Sequence, residues 1–394
     1  MTSNSFNSIL MKILLAGVSL VPRYGGLPKT MRKFGEALNA RIISFTSSTL
    51  PKEELDAFAE VEHLCTGRNK VADWYAWAGA KERSRAELFA AKMDLLSCHV
   101  MLRYHAHWVR RMAKRHDIPY WFVPHGQLDP YVYTYRARIK HLWLKLFGKR
   151  LMREAAHVIY STEQEREKAK WFYEGPNTRV IHWPVDLIDV QSKSRARTEL
   201  RSKLGLAEDE RVLLYLGRIH SMKNPIRTIE AIGMVGNQKV HLMIVGPDGD
   251  VTAEECRRKA YSLGLGAQVH VIGPLYGDDK NRALLGADAF ISLSHRENFG
   301  HTAAESIAAA TPVILSQGND LGPDLKPYDC GFFLQDESME CVVRAIQDFM
   351  MKQNSELEEM GVRGRSFVAE KLSFEMFRQR LEKLAHEAVE QHNS

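Results

Sequence analysis

The chain has 394 residues, 45% hydrophobic and 26% charged; this is globular make-up, it excludes a fibrous or low-complexity chain, and its length makes two domains the default. Five cysteines (Cys65, Cys98, Cys256, Cys330, Cys341) form neither a CxxC pair nor a His-rich cluster, which argues against a disulfide framework and a zinc site and fits a reducing cytosol. The net charge of +6 is uneven: from residue 101 to 170 fifteen Lys/Arg face six Asp/Glu, so that stretch is expected to meet an anionic partner.

The opening "SNSFNSILMKILLAGVSL" has no cationic leader, and Lys12 interrupts its apolar run, so a disordered start of about ten residues and then a buried strand from Met11 or Lys12 are expected. No apolar stretch reaches the ~20 residues that span a bilayer. Short apolar runs then alternate with helical patterns, the signature of parallel strands and crossover helices. The predicted strands are "KILLAGV", "ARIISF", "LLSCHVML", "YWFVPHG" and "HVIYST" in the first half, and "RVLLYLG", "HLMIVG", "VHVIG", "AFISLS" and "TPVILS" in the second. Each half reads as an α/β, doubly wound open sheet. The predicted domains are residues 1–184 and 185–372, with a last helix over 373–394 returning to the first. The irregular stretch that begins "WPVDLIDVQ" carries the boundary, near Trp183 to Asp186. Two such sheets facing each other surround one cleft with strand carboxyl ends, so the loops leaving strands are where chemistry is expected.

In chain order, "LVPRYGGLPKT" places Gly25 and Gly26 between the first strand and a helix, as a tight turn or a backbone phosphate cradle. The pattern is not GxGxxG, which disfavours a dinucleotide fold. His99 ends the strand in "LLSCHVMLRYH", with Arg103 beyond it, and His125 ends the strand in "YWFVPHGQLDP". Each histidine is either a satisfied structural residue or a site group. The segment 136–153, "RARIKHLWLKLFGKRLMR", interleaves Ile139, Leu142, Trp143, Leu146 and Phe147 with cations at helical spacing. Two readings stand: a core-facing stripe beneath a solvated basic face, or an interfacial helix on an anionic membrane. Nucleic acid is disfavoured because no recognised module appears.

In "LLYLGRIHSMKNP", Arg218 and Lys223 follow a buried strand. They are solvated cations or a clamp for a diphosphate, where each is worth about 4 kcal/mol at ~4 Å and an effective dielectric near 20. "PDGD" (Pro247 to Asp250) reads as a turn rather than a metal loop. In "SHRENFGHTAAESIAAATPVI", Glu297 lies in the loop leaving a strand beside Gly300, and a helix is predicted from about Thr302. Thr302 and Glu305 have the spacing of a capping box, which is the structural reading of Glu305. Glu297 has no such reading. The helix start offers an anion site, and two acids beside it suit sugar and ribose hydroxyls.

Together "PRYGG", "PHGQLDP", "LGRIHSMKN", "GPLYGDDKNRALLGADAFISLS" and "ENFGHTAAES…TPVI" resemble the retaining GT-B glycosyltransferases, specifically glycosyltransferase family 4, over nearly the whole chain. The resemblance implies two Rossmann-like domains and a nucleotide-diphosphate-sugar donor, with no required cofactor and no metal. It implies that Glu297, with the backbone of Asn298, Phe299 and Gly300 and the adjoining His301 and Thr302, holds the donor sugar, and that Glu305 binds ribose hydroxyls. Arg218 and Lys223 would grip the diphosphate, Gly25 and Gly26 approach its distal phosphate, and His125 sit near the sugar. Glu297, His125, Arg218 and Lys223 form the expected catalytic set, and His99 and Arg103 fall on the acceptor side. The acceptor would be a saccharide or a lipid-linked molecule in surface polysaccharide synthesis. The protein would be cytoplasmic, peripheral at the inner face of the membrane. An epimerase or phosphorylase, or an inactive sugar-nucleotide binder, are the alternatives. The chain departs from the family with Ala310 and Asn298 where glycine is usual, and with "WPVD" where a "PNG" turn is.

Overall fold

The computed structural model describes residues 11–17, 26–47, 61–66, 80–134 and 137–394. They divide into two units: residues up to Trp183 together with Phe374–Ser394, and Pro184–Ser373.

In the first unit, strands β1 (Ile13–Gly17), β2 (Arg41–Ser47), β3 (Val61–Thr66), β4 (Leu95–His99), β5 (Tyr120–Val123), β6 (His157–Tyr160) and β7 (Thr178–Val180) form one sheet. Its order is β3-β2-β1-β4-β5-β6-β7, and every pairing is parallel. β1, β4, β5 and β6 are buried along their length. That is why they read as unbroken apolar runs: a parallel strand covered on both faces needs no polar alternation. Helix α1 (Gly26–Leu38) buries Met31, Phe34 and Leu38 at helical spacing. Helices α2 (Ala80–Ala90) and α3 (Tyr104–His116) precede and follow β4.

Residues 137–153 fold as α4 (Ala137–Trp143), a π-helical turn (Leu144–Gly148) and α5 (Lys149–Arg153). Leu144, Leu151 and Met152 turn inward. Ile139, Leu142, Leu146 and Phe147 are 62%, 58%, 53% and 40% exposed, so the core-facing reading fails for these four, whereas Trp143 is half-buried and packs on the core as that reading expected. The inward face is carried by Leu144, Gly148, Leu151 and Met152, with Trp143 beside them. Helix α6 (Glu163–Ala169) follows β6.

The second unit holds β8 (Arg211–Leu216), β9 (Val240–Val245), β10 (Val269–Gly273), β11 (Ala289–Ser292), β12 (Val313–Leu315) and β13 (Gly331–Phe333). They pair in parallel in the order β10-β9-β8-β11-β12-β13. Helices α7 (Lys193–Leu204), α8 (Pro225–Val235), α9 (Ala253–Ser262), α10 (Gly277–Gly286), α11 (His301–Ala308), α12 (Met339–Met351) and α13 (Asn354–Lys371) flank it. The last helix, α14 (Phe374–Asn393), belongs to the first unit, with Phe377 5.0 Å from Phe34 and 6.3 Å from Trp183, ring to ring. Among the described residues no helix is long and apolar enough to cross a membrane.

Candidate functional site

The order of the second sheet reverses between β8 and β11. Because all its strands run the same way, the loops leaving β8, β11 and β12 emerge side by side at one edge, on either side of that switch point. The loop after β8 starts at Gly217, whose φ of +148° no side chain favours; a Cβ on the facing Gly246 would meet the Gly217 carbonyl oxygen at 1.8 Å. Two glycines therefore let β8 and β9 close up before the loop turns out. Asn224, in left-handed backbone, ends the loop and opens α8 with Pro225 at its first turn. Its amide donates to the Leu293 carbonyl (2.8 Å), and the His295 amide donates to Met222 (2.9 Å), so the β8 and β11 loops are tied together.

The β11 loop is held from its other side by Gly318, Asn319 and Asp320, which follow β12. The Glu297 amide donates to the Gly318 carbonyl (2.7 Å), and the Asp320 amide donates to the Glu297 carbonyl (3.0 Å). Asn319, 1% exposed, donates to the Ser292 carbonyl at 3.2 Å. Glu297 is thus fixed at both backbone groups, and its carboxylate forms an ion pair with the Lys223 ammonium. Both side chains are partly covered, at 23% and 22% exposure. Arg218 leaves the same strand exposed and makes no ion pair among the described residues. Its carbonyl accepts from the Tyr215 hydroxyl at 2.8 Å.

The capping-box reading of Glu305 is overturned. Gly300, at φ +73°, is the N-cap of α11, so the helix begins at His301 rather than Thr302 and Glu305 falls past the position a capping box needs. Glu305 is instead 8% exposed, and its Oε1 lies 3.0 Å from Lys280 Nζ on α10. Asn298, His301 and Thr302 are half-buried and Phe299 is buried; the Phe299 and His301 rings meet at 5.0 Å. "PDGD" is the turn expected: Asp248 accepts from the Ala253 amide (2.7 Å) and Asp250 from the Ser221 amide (2.7 Å). The Ser221 hydroxyl, which also donates to Asp250, and then the Ser221 amide hold the Asp250 carboxyl below its usual range. Among the described residues no cluster of His, Cys, Asp and Glu has metal-site geometry.

In the first unit, Gly25 lies outside the described residues; Gly26 heads α1 and its carbonyl accepts from the Thr30 hydroxyl at 3.1 Å. His99 and His125 are brought together: His99 Nδ1 and His125 Nε2 are 2.9 Å apart, with the rings stacked. His99 Nε2 lies 3.2 Å from the Ser97 hydroxyl, and His105 donates to the His99 carbonyl (2.6 Å). Burial, then the neighbouring His125 and His105, push His99 well below its ordinary pKa, so its ring is neutral. Burial pushes His105 down to about 4. His125 sits in left-handed backbone, φ +51°, and the Gly126 amide donates to the buried Glu165 carboxylate at 2.6 Å. Gln127 accepts from the Met101 and Leu102 amides, and Asp129 caps the short helix Pro130–Tyr133. "PHGQLDP" is therefore a structural joint, which is one of the two readings of His125. Arg103 is the half-buried N-cap of α3.

Sequence reasoning missed Lys280 and the Gly318–Asp320 segment. The latter had a signal, since "QGND" leaves a buried strand at the same sheet edge. Lys280 had none, because one lysine on a helix reads as a solvated charge.

Residues 196–367 match the family model described as glycosyl transferases group 1, and residues 24–188 match that of Glycosyltransferase Family 4. The D-inositol 3-phosphate glycosyltransferase of Streptomyces scabiei is 25% identical over 347 residues, 82% of this chain and 72% of that protein. Sucrose-phosphate synthase of Thermosynechococcus elongatus superposes with a TM-score of 0.77 at 20% identity, covering 96% of this chain and 98% of that one. Anabaena Alr3699/HepE, solved in complex with UDP and glucose, gives 0.73 at 16% identity, covering 95% and 98%. Both structural likenesses are of fold, and they identify the paired doubly wound units as GT-B. With a glycosyltransferase model matching in each half and that fold throughout, the chain belongs to the family 4 glycosyltransferases.

Proposed function

We propose that the protein moves a sugar from a nucleoside-diphosphate sugar to a saccharide or lipid-linked acceptor, with retention of anomeric configuration. The observation that carries this reading is the Lys223–Glu297 ion pair at the strand switch point, with Arg218 exposed on the same loop and Glu305 on the next helix. As the anomeric C–O bond breaks, the electron pair leaves with the diphosphate, and only interactions that strengthen with that charge raise the rate. Arg218, Lys223 and the first amides of α11 supply them, so electrostatic stabilisation is the main term and fixed cations do what a divalent ion would otherwise do. The acceptor hydroxyl forms the new C–O bond on the face the diphosphate leaves, and its proton passes to the departing phosphate oxygen. Glu297 holds the sugar hydroxyls, Glu305 the ribose, and His125 acts on the transferred sugar. The UDP in the Anabaena neighbour makes a uridine donor the first to try.

A thermal-shift panel of UDP-, GDP-, ADP- and dTDP-sugars, followed by NMR of the product anomer with the stabilising donor, tests the reading. Stabilisation by one donor family and a product that keeps the donor's anomeric configuration are expected. No stabilisation by any of them, or an inverted product, contradicts it.

A second feature bears on the acceptor. Ile139, Leu142, Leu146 and Phe147 are exposed among Arg138, Lys145, Lys149 and Arg150, all exposed too. Apolar side chains beside cations on one surface helix match an anionic lipid surface. We therefore read 136–153 as a peripheral contact with the inner face of the cytoplasmic membrane, where a lipid-linked acceptor would lie.

A further inference from the structure

Lys280 joins α10 to α11, the helix that carries Glu305. It stands on α10, directly after the loop that leaves β10; that loop ends at Tyr276, the N-cap of α10 and 73% exposed. Its ammonium crosses to α11 and meets Glu305 Oε1 at 3.0 Å. The lysine side chain is 27% exposed and the glutamate side chain 11%, so the pair is mostly shielded from water. The neighbouring acid on α10, Asp279, is paired with Arg282 instead. A carboxylate this buried needs a cation beside it. It also needs a fixed plane if it is to accept from two adjacent hydroxyls, because the last torsion of a glutamate is soft. An ammonium on one oxygen supplies both, and it offsets a negative charge that would otherwise oppose a diphosphate.

We propose that Lys280 is a positioning residue for the nucleotide: it orients Glu305 so that ribose is told from 2′-deoxyribose. The proposal rests on the reading of Glu305 as the ribose-binding acid. Lys280 acts through Glu305 and touches neither the diphosphate nor the sugar, so it sets which nucleotide binds and leaves the chemical step alone.

The test is calorimetric binding to the full-length protein of three pairs: UDP and 2′-deoxyUDP, GDP and 2′-deoxyGDP, ADP and 2′-deoxyADP. The ratio of affinities is read for the base that wild type binds most tightly. Wild type is expected to favour the ribonucleotide by about tenfold, the cost of leaving a buried acceptor without its donor. Lys280→Met should bring the ratio to roughly threefold or below, Glu305→Gln should abolish it, and Lys280→Arg should restore most of it. Should Lys280→Met unfold, Lys280→Gln, which also removes the charge, carries the comparison, with the same fall in the ratio expected. A wild-type ratio in the uncharged lysine variant together with a lost ratio in Glu305→Gln overturns the role of Lys280 and leaves that of Glu305. A wild-type ratio in Glu305→Gln overturns the ribose reading, and the lysine proposal falls with it.

Discussion

Glu297 and Lys223 hold each other's charge, and a donor diphosphate must compete for the lysine. Replacing Glu297 with Gln therefore has two effects of opposite sign. Transfer should fall by about a hundredfold or more, because the acid proposed to hold the sugar is gone. Affinity for the free nucleoside diphosphate should rise by about threefold to fivefold, since a partly exposed ion pair no longer occupies Lys223. Calorimetry beside a turnover assay reads both, and weaker diphosphate binding would remove the pair from the account. Ala310 shows a different residue-scale tension. The family often has glycine there, and the backbone of Ala310 is left-handed, at φ +52°. An alanine in that region is strained by about 1–2 kcal/mol, and glycine would give back about half of the gain as chain entropy. Ala310→Gly should stabilise the second unit by about 0.5–1 kcal/mol, raising its calorimetric melting by about 2 °C. A lower melting temperature would contradict this.

At the scale of elements, the segment 137–153 is the clearest case of a pattern that sequence shows and structure must interpret. Spacing gave an amphipathic stretch, but not which way it faced, and the π turn at Leu144–Gly148 had no sequence signal. With Leu142 and Leu146 pointing outward, replacing both with Glu should leave melting unchanged and abolish co-sedimentation with anionic vesicles. Raising the salt should weaken wild-type binding, whereas binding that persists in the double variant would discard the membrane contact. The buried strands were legible for a simple reason: β1, β4, β5, β8, β9 and β11 are apolar runs closed on both faces. β3, β7 and β13 were not legible. "VEHLCT" mixes charge into a strand at the sheet edge, and three-residue strands such as Thr178–Val180 and Gly331–Phe333 carry no period. The start of α11 was misjudged because Gly300, not a hydroxyl residue, is its N-cap. The strand-end placement of Glu297 and Lys223 was legible, and so was a helix bearing Glu305. Their partners were not, since contacts between side chains far apart in sequence leave no local trace.

For the molecule as a whole, the two units can be watched separately, because all seven tryptophans precede residue 184. His105 is buried and pushed down to about 4, so between that value and its ordinary 6.5 the unfolded chain binds the proton and the folded chain does not. Its contribution is whole above about pH 6.5 and is lost as pH falls, by about 2 kcal/mol at pH 5. His99, also depressed by burial, acts in the same direction. Melting followed by tryptophan fluorescence should therefore drop between pH 7 and 5, and His105→Gln should flatten the drop; an unchanged slope in that variant would assign the effect elsewhere. The central claim is that fixed cations on the β8 loop draw the diphosphate away from the sugar, and single-turnover cleavage of the stabilising donor by wild type and Lys223→Ala measures it most directly. A rate constant lower by about a hundredfold to a thousandfold, with donor dissociation constants within about fivefold, is the predicted result. Equal losses in rate and affinity, or an undiminished rate, would contradict it.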